Sequence, residues 1–123
     1  MSPRAHILLV LALGACAPKA EPPPPAPIAL DCARGFDALL QAVAAQPGFA
    51  EADAPGEPYR YINAEDGRTS YVATRPGAPG HPAIVRQAGS AAGQETTGCA
   101  FGDRAGYDQL LAYLSSLNAV RRK

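Results

Sequence analysis

The chain has 123 residues, with 11 basic and 11 acidic side chains and a mean hydropathy of −0.09. This length suits one domain, whose core must be modest because a domain near this size buries only about 60–70% of its unfolded surface. The balanced charge argues against a nucleic-acid-binding protein, which needs a basic surface.

The first sixteen residues have the plan of an export signal. Arg4 supplies a positive start, residues 7–13 form an apolar run, and the small residues Gly14 and Ala15 follow. The run is too short for a bilayer span of about 20 residues, but it suits the core of a cleavable signal peptide. The stretch Leu13-Gly14-Ala15-Cys16 resembles the lipobox of bacterial lipoproteins, which reads Leu, two small residues and Cys.

That resemblance implies cleavage before Cys16, with lipid such as palmitate attached to the sulfur and to the new amino group. Two or more acyl chains give stable membrane anchoring, which a single chain does not. Ala17 stands where lipoproteins retained in the inner membrane tend to carry Asp. We therefore expect an outer-membrane lipoprotein that faces the periplasm. The alternative is a soluble secreted protein in which Cys16 is incidental.

A proline-rich segment follows the lipobox, and its prolines Pro22 to Pro25 are consecutive. Such a run enforces polyproline II and forbids a helix. We interpret residues 1–15 as signal peptide, 16–30 as lipidated cysteine and tether, and 31–123 as a single globular domain. At about 3.1 Å per residue, the tether would hold the domain about 40 Å from the membrane. A docking ligand for a proline-binding partner is the alternative.

Lipidation of Cys16 would leave Cys32 and Cys99 as a pair in an oxidising compartment, where disulfides persist. Closing the long loop between them would stabilise the fold by about 4 kcal/mol in the chain-entropy account. Two buried free thiols or a redox pair are the alternatives, although a redox pair usually shows Cys-x-x-Cys spacing.

The first predicted element is an amphipathic helix over residues 31–46. Asp31 suits its N-cap, and Pro47-Gly48 ends it. Its apolar stripe recurs at helical spacing: Phe36, Leu39, Leu40 and Val43. Residues 49–56 are predicted to form a loop.

A hairpin is predicted over residues 59–75, around the turn sequence Asp66-Gly67. Its register stays open at this point. A two-residue turn pairs Tyr61 with Val72 and places Tyr71 on the face opposite Tyr61. A three-residue turn pairs Tyr61 with Tyr71 and places all three tyrosines of the hairpin on one face, since a slip of one residue swaps faces.

The second half of the chain predicts one or two more strands and a closing helix. Residues 76–82 read as a Pro/Gly loop, 83–86 as a third strand, 88–93 as a small-residue connection and 95–101 as a possible fourth strand.

Asp103 is the expected N-cap of the second helix, whose apolar stripe is the strongest helical pattern in the chain: Tyr107, Leu110, Leu111, Leu114 and Leu117. Arg121, Arg122 and Lys123 suit its carboxyl end, as solvated charges or as groups attracted to anionic lipid or cell wall.

These elements predict an α+β domain in the order α-β-β-β-(β)-α. An antiparallel sheet of three to four strands would carry two flanking amphipathic helices.

Patterns typical of catalysis are sparse. His81 is the one histidine after the signal, and we interpret it as a loop residue rather than a general base. Ser90 lacks the Gly-x-Ser-x-Gly setting, and Glu65 and Asp66 belong to the turn sequence. With both remaining cysteines assigned to a disulfide, we expect no metal site and no cofactor.

The best candidate for function is a surface that combines rings and guanidinium groups, which are frequent at binding hot spots. Its members are Tyr59, Tyr61, Tyr71, Arg60, Arg75 and Arg86. The alternative is that the tyrosines face the core.

We expect a non-enzymatic binding or assembly module of the cell envelope, with a membrane attachment, an envelope protein or cell-wall partner, and no nucleic acid. The alternatives are an inhibitor of a lysozyme- or protease-type enzyme and, third, a small hydrolase.

Overall fold

The structure, a computed structural model, describes residues 26–121. The signal peptide, Cys16 and Pro22 to Pro25 lie outside the described residues, as do Arg122 and Lys123. The predictions made for them are therefore not addressed by the fold.

A single antiparallel sheet forms the centre of the domain. The elements in chain order are the 3₁₀ turn Cys32–Arg34, α1 Phe36–Ala44, β1 Phe49–Glu51, β2 Tyr59–Ala64, β3 Thr69–Thr74, β4 Ala83–Ser90, β5 Gly93–Ala100 and α2 Arg104–Arg121. The strands lie side by side in the order β1-β2-β3-β4-β5. The predicted α+β class is confirmed, with five strands in place of three to four.

The two helices pack on opposite faces of the sheet. Successive strand residues point to opposite faces, so Tyr71 and Val72 of β3 mark the two sides. Tyr71 belongs to the core cluster that contains Leu39 of α1, and Val72 to the cluster that contains Leu110 of α2. We call these sides the α1 face and the α2 face.

The additional strand β1 lies where a loop over residues 49–56 was predicted, so that prediction is wrong for its first three residues. Phe49 pairs with Ala64, and Glu51 pairs with Ile62. Three residues carry no readable periodicity. They become a strand because the outer edge of β2 offers them backbone hydrogen bonds.

The first helix is shorter than predicted. Asp31 caps the 3₁₀ turn, where its carboxylate accepts a hydrogen bond from the Ala33 N–H at 3.0 Å. Gly35 then takes φ +84° and ψ 163°, which breaks the helical path, and α1 begins at Phe36. The predicted apolar stripe of α1 does face the sheet, because Leu39 and Val43 are fully buried.

The last hairpin is longer than predicted. Strand β4 continues to Ser90, and Ser90 pairs directly with Gly93 of β5, so residues 88–93 are strand ends and a tight turn rather than an open connection. The Ser90 hydroxyl accepts from the Ala92 N–H and donates to the Gly93 carbonyl, which gives Ser90 a turn role.

The disulfide between Cys32 and Cys99 is present, with 5.5 Å between the two Cα atoms, and confirms that prediction. Cys99 belongs to the buried cluster of the α1 face. The bond therefore ties the segment that leads into α1 to the last strand of the sheet.

Helix α2 begins as predicted at Asp103, whose carboxylate accepts from the Gly106 N–H at 2.9 Å. Its start packs tightly on the loop before β4. A Cβ atom placed on Gly106 would lie 2.1 Å from the Gly80 backbone nitrogen, so only glycine fits there. Leu110 and Leu114 are buried against the sheet.

The segment before Asp31 also packs on the domain. Ile28 and Leu30, assigned to the tether from the sequence, lie against the core cluster of the α1 face. The Ile28 N–H donates to the Gln46 side-chain oxygen at 2.9 Å. The packed body of the protein thus begins at least three residues before Asp31.

Candidate functional site

The structure separates the tyrosines of the predicted binding surface. The ladder pairs Tyr61 with Val72 and Tyr59 with Thr74, which is the register of the two-residue turn. Tyr59 and Tyr61 therefore point to the α2 face, whereas Tyr71 points to the α1 face. The Asp66 carboxylate stabilises this turn by accepting from the Arg68 N–H at 2.8 Å.

Tyr71 has a structural role on the α1 face. Its side chain is fully buried, and its hydroxyl donates to the Ile28 carbonyl at 2.6 Å. The ring of Phe49 lies 5.6 Å from its ring centre. Tyr71 thus holds the N-terminal segment on the sheet and is not available to a partner. Tyr59 is buried as well, so of the three tyrosines only Tyr61 is partly open.

The arginines of the predicted surface also have different surroundings in the fold. Arg60 makes a two-pronged ion pair with Glu51 of β1, and its hydrogen bond lowers the pKa of the Glu51 carboxyl. Arg86 lies across the ladder from Tyr71, which places it on the α1 face. The Nε atoms of Arg86 and Arg75 are buried without a hydrogen-bond partner among the described residues.

A hollow of about 440 Å³ next to α1 brings Arg60 and Arg75 close to His81. Phe36, Asp37 and Leu40 of α1 form its opposite wall. The Phe36 ring meets the His81 ring edge-on, with centroids 5.4 Å apart.

The imidazole of His81 forms a hydrogen bond within the domain. Its Nδ1 lies 2.8 Å from the Thr74 hydroxyl, which also accepts from the Ala83 N–H at 2.9 Å. Thr74 is only 1% exposed, and it lines the hollow together with His81. This hydroxyl–imidazole contact joins the end of β3 to the loop before β4.

A recess of about 550 Å³ lies on the α2 face between α2 and strands β2 and β3. We call it the groove. Its floor and walls combine aromatic and aliphatic groups with polar ones: Tyr61, Asn63, Ser70, Val72, Gln87, Tyr113, Leu114, Leu117 and Asn118, with Glu57 at its edge.

The polar groups of the groove differ in how they are bonded. The Ser70 hydroxyl donates to Asn63 directly across the ladder, and Asn118 donates to the Gln94 side-chain oxygen at 2.6 Å. Gln87 is only 8% exposed, yet its side chain lines the groove. We find no hydrogen bond from the Gln87 amide to another side chain or backbone group of residues 26–121.

Tyr61 of the groove and its neighbour Tyr59 keep their protons to a higher pH than an ordinary tyrosine. Burial is the main cause that raises the pKa of Tyr61, and a hydrogen bond with Tyr113 adds to it. Burial also raises the pKa of Tyr59, which stacks at 5.7 Å against Tyr113. Tyr113 itself is 37% exposed and forms the accessible edge of the groove.

A second hollow of about 500 Å³ lies on the other side of α2, over β4 and β5. It shares Gln87, Leu114 and Asn118 with the groove, so α2 separates the two recesses. Reasoning from the sequence missed both, because the amide residues that line them carry no motif and meet only when α2 crosses the sheet.

Among residues 26–121, no group of three or more His, Cys, Asp and Glu side chains is placed to hold a metal ion. No helix in the same range has the length and apolar character needed to cross a membrane.

The chain was compared with protein-family models, with curated proteins and with solved structures, and none of the three comparisons finds a match.

Proposed function

We propose that this protein is an envelope lipoprotein, anchored through lipid on Cys16, whose disulfide-closed domain acts as a non-enzymatic binding module. The outer membrane, on its periplasmic side, is the proposed location. The lipobox-like stretch Leu13-Gly14-Ala15-Cys16 supports the anchor. The pairing of Cys32 with Cys99 supports it further, because it leaves Cys16 as the cysteine without a disulfide partner.

The position of the N-terminal segment shortens the proposed tether. Since Ile28 is fixed by Tyr71 and Gln46, the free spacer ends before that residue. About nine residues of proline-rich chain would then separate Cys16 from the described part, which corresponds to about 30 Å in polyproline II. The domain would stand close to the membrane and within reach of envelope components.

The observation that carries the binding role is the groove beside α2. It has a volume of about 550 Å³, and its lining combines rings, amides, hydroxyls and aliphatic groups with one carboxylate, Glu57. Such groups recognise a ligand by shape and hydrogen bonding. The one hydroxyl–imidazole contact among the described residues, Thr74 with His81, lies apart from the groove, in the hollow next to α1.

The anchor is tested by the intact mass of the mature protein, prepared without reductant. We expect loss of residues 1–15, the added mass of the acyl chains, and two hydrogens fewer for the disulfide. A Cys16→Ser variant is the control and should leave the membrane fraction. A product that keeps its first fifteen residues, or that titrates three thiols, contradicts the proposal.

The binding role is tested by crosslinking and recovery of the lipidated protein from its own envelope, with Tyr113→Ala as the variant. We expect a resident partner that is retained by the native protein and weakened by the variant. Phe101→Ala is the matched control, because Phe101 is exposed to the same extent, 36%, but does not line the groove. Equal recovery with both variants would exclude the groove as the contact.

A second function, inhibition of a lysozyme- or protease-type enzyme, rests on the loop 76–82. Gly80 is packed against Gly106, and the His81 N–H bonds to the Ala78 carbonyl at 3.1 Å, while Pro76 and Pro79 remain exposed. A loop held in one conformation loses little entropy on binding. Inhibition of a panel of lysozymes and proteases, abolished by changes at Pro76 and Pro79, would favour this function over the first.

A further inference from the structure

We propose that the groove beside α2 binds an uncharged oligosaccharide. This inference rests on the proposed binding function and assigns the ligand class of the same site. It follows from the shape of the groove, from the charge of its lining and from one buried amide.

The shape follows from the architecture. Five strands spaced about 4.8 Å apart make a sheet wider than one helix, whose diameter with side chains is about 10 Å. Helix α2 therefore covers the middle of its face, and Leu114 contributes to the recess on either side of it. The volume of the groove, about 550 Å³, lies within the range of small-ligand sites.

The charge of the lining argues for a neutral ligand. No Lys, Arg or His side chain of the described residues lines the groove, and the single carboxylate, Glu57, lies at its edge on the loop before β2. The phenol of Tyr61 keeps its proton because burial raises its pKa. A phosphate, a nucleotide or an anionic headgroup would find no counter-charge here, and buried charges need one.

The polar groups match the hydroxyl groups of a sugar. An amide offers both donors and an acceptor, and so it can bond a hydroxyl that both donates and accepts. Gln87 reaches the groove from β4, nine-tenths buried, and its amide has no protein partner among the described residues. The amide donors and acceptor are therefore free to bond a ligand hydroxyl or acetamido group that enters the groove.

The rings match the other property of a sugar, which has an apolar C–H face beside its polar edge. Tyr61 and Tyr113 both line the groove, and Tyr113 is the more exposed of the two. An aromatic ring offers a large flat apolar area at little entropic cost, with a hydroxyl at its end. Leu117 extends the apolar surface beyond the rings.

Titration of the mature lipidated protein, held in a detergent without a sugar headgroup, tests the proposal. The probes are tetrasaccharides of N-acetylglucosamine and of glucose, followed by saturation-transfer NMR and calorimetry. Purified cell-wall sacculi, assayed by co-sedimentation, separate a wall glycan from a free sugar as the source. Binding of either tetrasaccharide supports the proposal. Absence of binding to both at millimolar sugar overturns it, even where the sacculi, which carry charged peptide stems, are bound.

Two variants assign the binding to the groove. Gln87→Leu removes the amide, and Tyr113→Ala removes the exposed ring. Each should weaken binding about fivefold or more, since the loss of a polar or aromatic contact costs about one to three kcal/mol, a factor of about 5 to 150. Gln109→Leu and Phe101→Ala are the matched controls outside the groove and should change affinity less than about twofold.

Thermal unfolding of each variant shows whether the domain stays folded, and Tyr113→Ala provides the decisive measurement if Gln87→Leu does not fold. Sugar binding unaffected by Tyr113→Ala overturns the assignment to the groove. A resident partner recovered from the envelope, together with no binding of any glycan probe, would refute the sugar inference alone and leave the binding module in place.

Discussion

The two faces of the sheet are held in different ways. On the α1 face, a disulfide, the docked segment around Ile28 and the Tyr71 hydroxyl bind the periphery to the core. On the α2 face, one helix lies across the strands with recesses on both of its sides. A small domain has a limited core, and here the covalent and polar ties gather on the face where the segment around Ile28 docks. The opposite face keeps open surface for contact.

Of the changes considered, removal of the disulfide on the α1 face should lower the stability of the domain most. We expect the double variant Cys32→Ala, Cys99→Ala to lose about 4 kcal/mol of unfolding free energy, because the unfolded chain regains the entropy of a long loop. Urea unfolding followed by circular dichroism measures it. Cys16→Ser, which also removes a sulfur, should leave the stability unchanged. Equal stability of the double variant and the native protein would contradict a closure role for this bond.

The Tyr71 hydroxyl should matter less but should be specific to the α1 face. Tyr71→Phe removes the hydrogen bond to the Ile28 carbonyl and leaves a buried acceptor, which we expect to cost about 1–2 kcal/mol. Hydrogen exchange at the Ile28 amide should be faster in this variant than in the native protein. Thr96→Val, which removes a hydroxyl at an exposed position of the α2 face, is the control and should change stability by about 0.5 kcal/mol or less.

Unfolding at high pH should test whether the tyrosines of the α2 face are buried. Burial raises the pKa values of Tyr59, Tyr61 and Tyr107 above their ordinary value of 10.0. These tyrosines lose their protons at a lower pH in the unfolded chain than in the folded domain. Their contribution to the free energy of unfolding is therefore complete below pH 10 and is lost as the pH rises toward their pKa values in the folded domain. Absorbance at 295 nm, recorded with circular dichroism, should show a group of tyrosines that ionises only as the domain unfolds. Ionisation of every tyrosine near pH 10 in the folded protein would refute the buried arrangement.

The smallest effect is expected at the outer edge of the sheet, between Glu51 and Arg60. A double-mutant cycle with Glu51→Gln and Arg60→Gln should give a coupling below about 1 kcal/mol, because both side chains are partly exposed. The Arg60 hydrogen bond lowers the Glu51 pKa below 4.5. The coupling should therefore be complete above pH 4.5 and disappear as the pH falls through the lowered value. A coupling that persists at pH 2 would contradict this ion pair.

Short-range patterns were sufficient for much of the fold. The stripe from Tyr107 to Leu117, the Asp103 cap and the Asp66-Gly67 turn all lie within a few residues of what they specify, and each is present in the structure. Strand β1 could not be read in this way, because three residues form a strand only when the edge of β2 is there to bond them. The predicted surface failed as a unit for a similar reason, since one residue of register decides the face of Tyr71.

The amino-acid sequence alone predicted the Asp66-Gly67 turn and the helical stripes, because each follows from local pattern, and the lipobox resemblance of Cys16 led to the pairing of Cys32 with Cys99. Only the tertiary structure decided which face each side chain enters, and that Gln87 and Tyr113 line one groove. A local sequence pattern predicts whether a segment forms a helix or a strand. The face that the segment buries depends on its neighbours in the fold. The recesses beside α2 arise because one helix is narrower than the sheet, and no short stretch of sequence shows that difference in width.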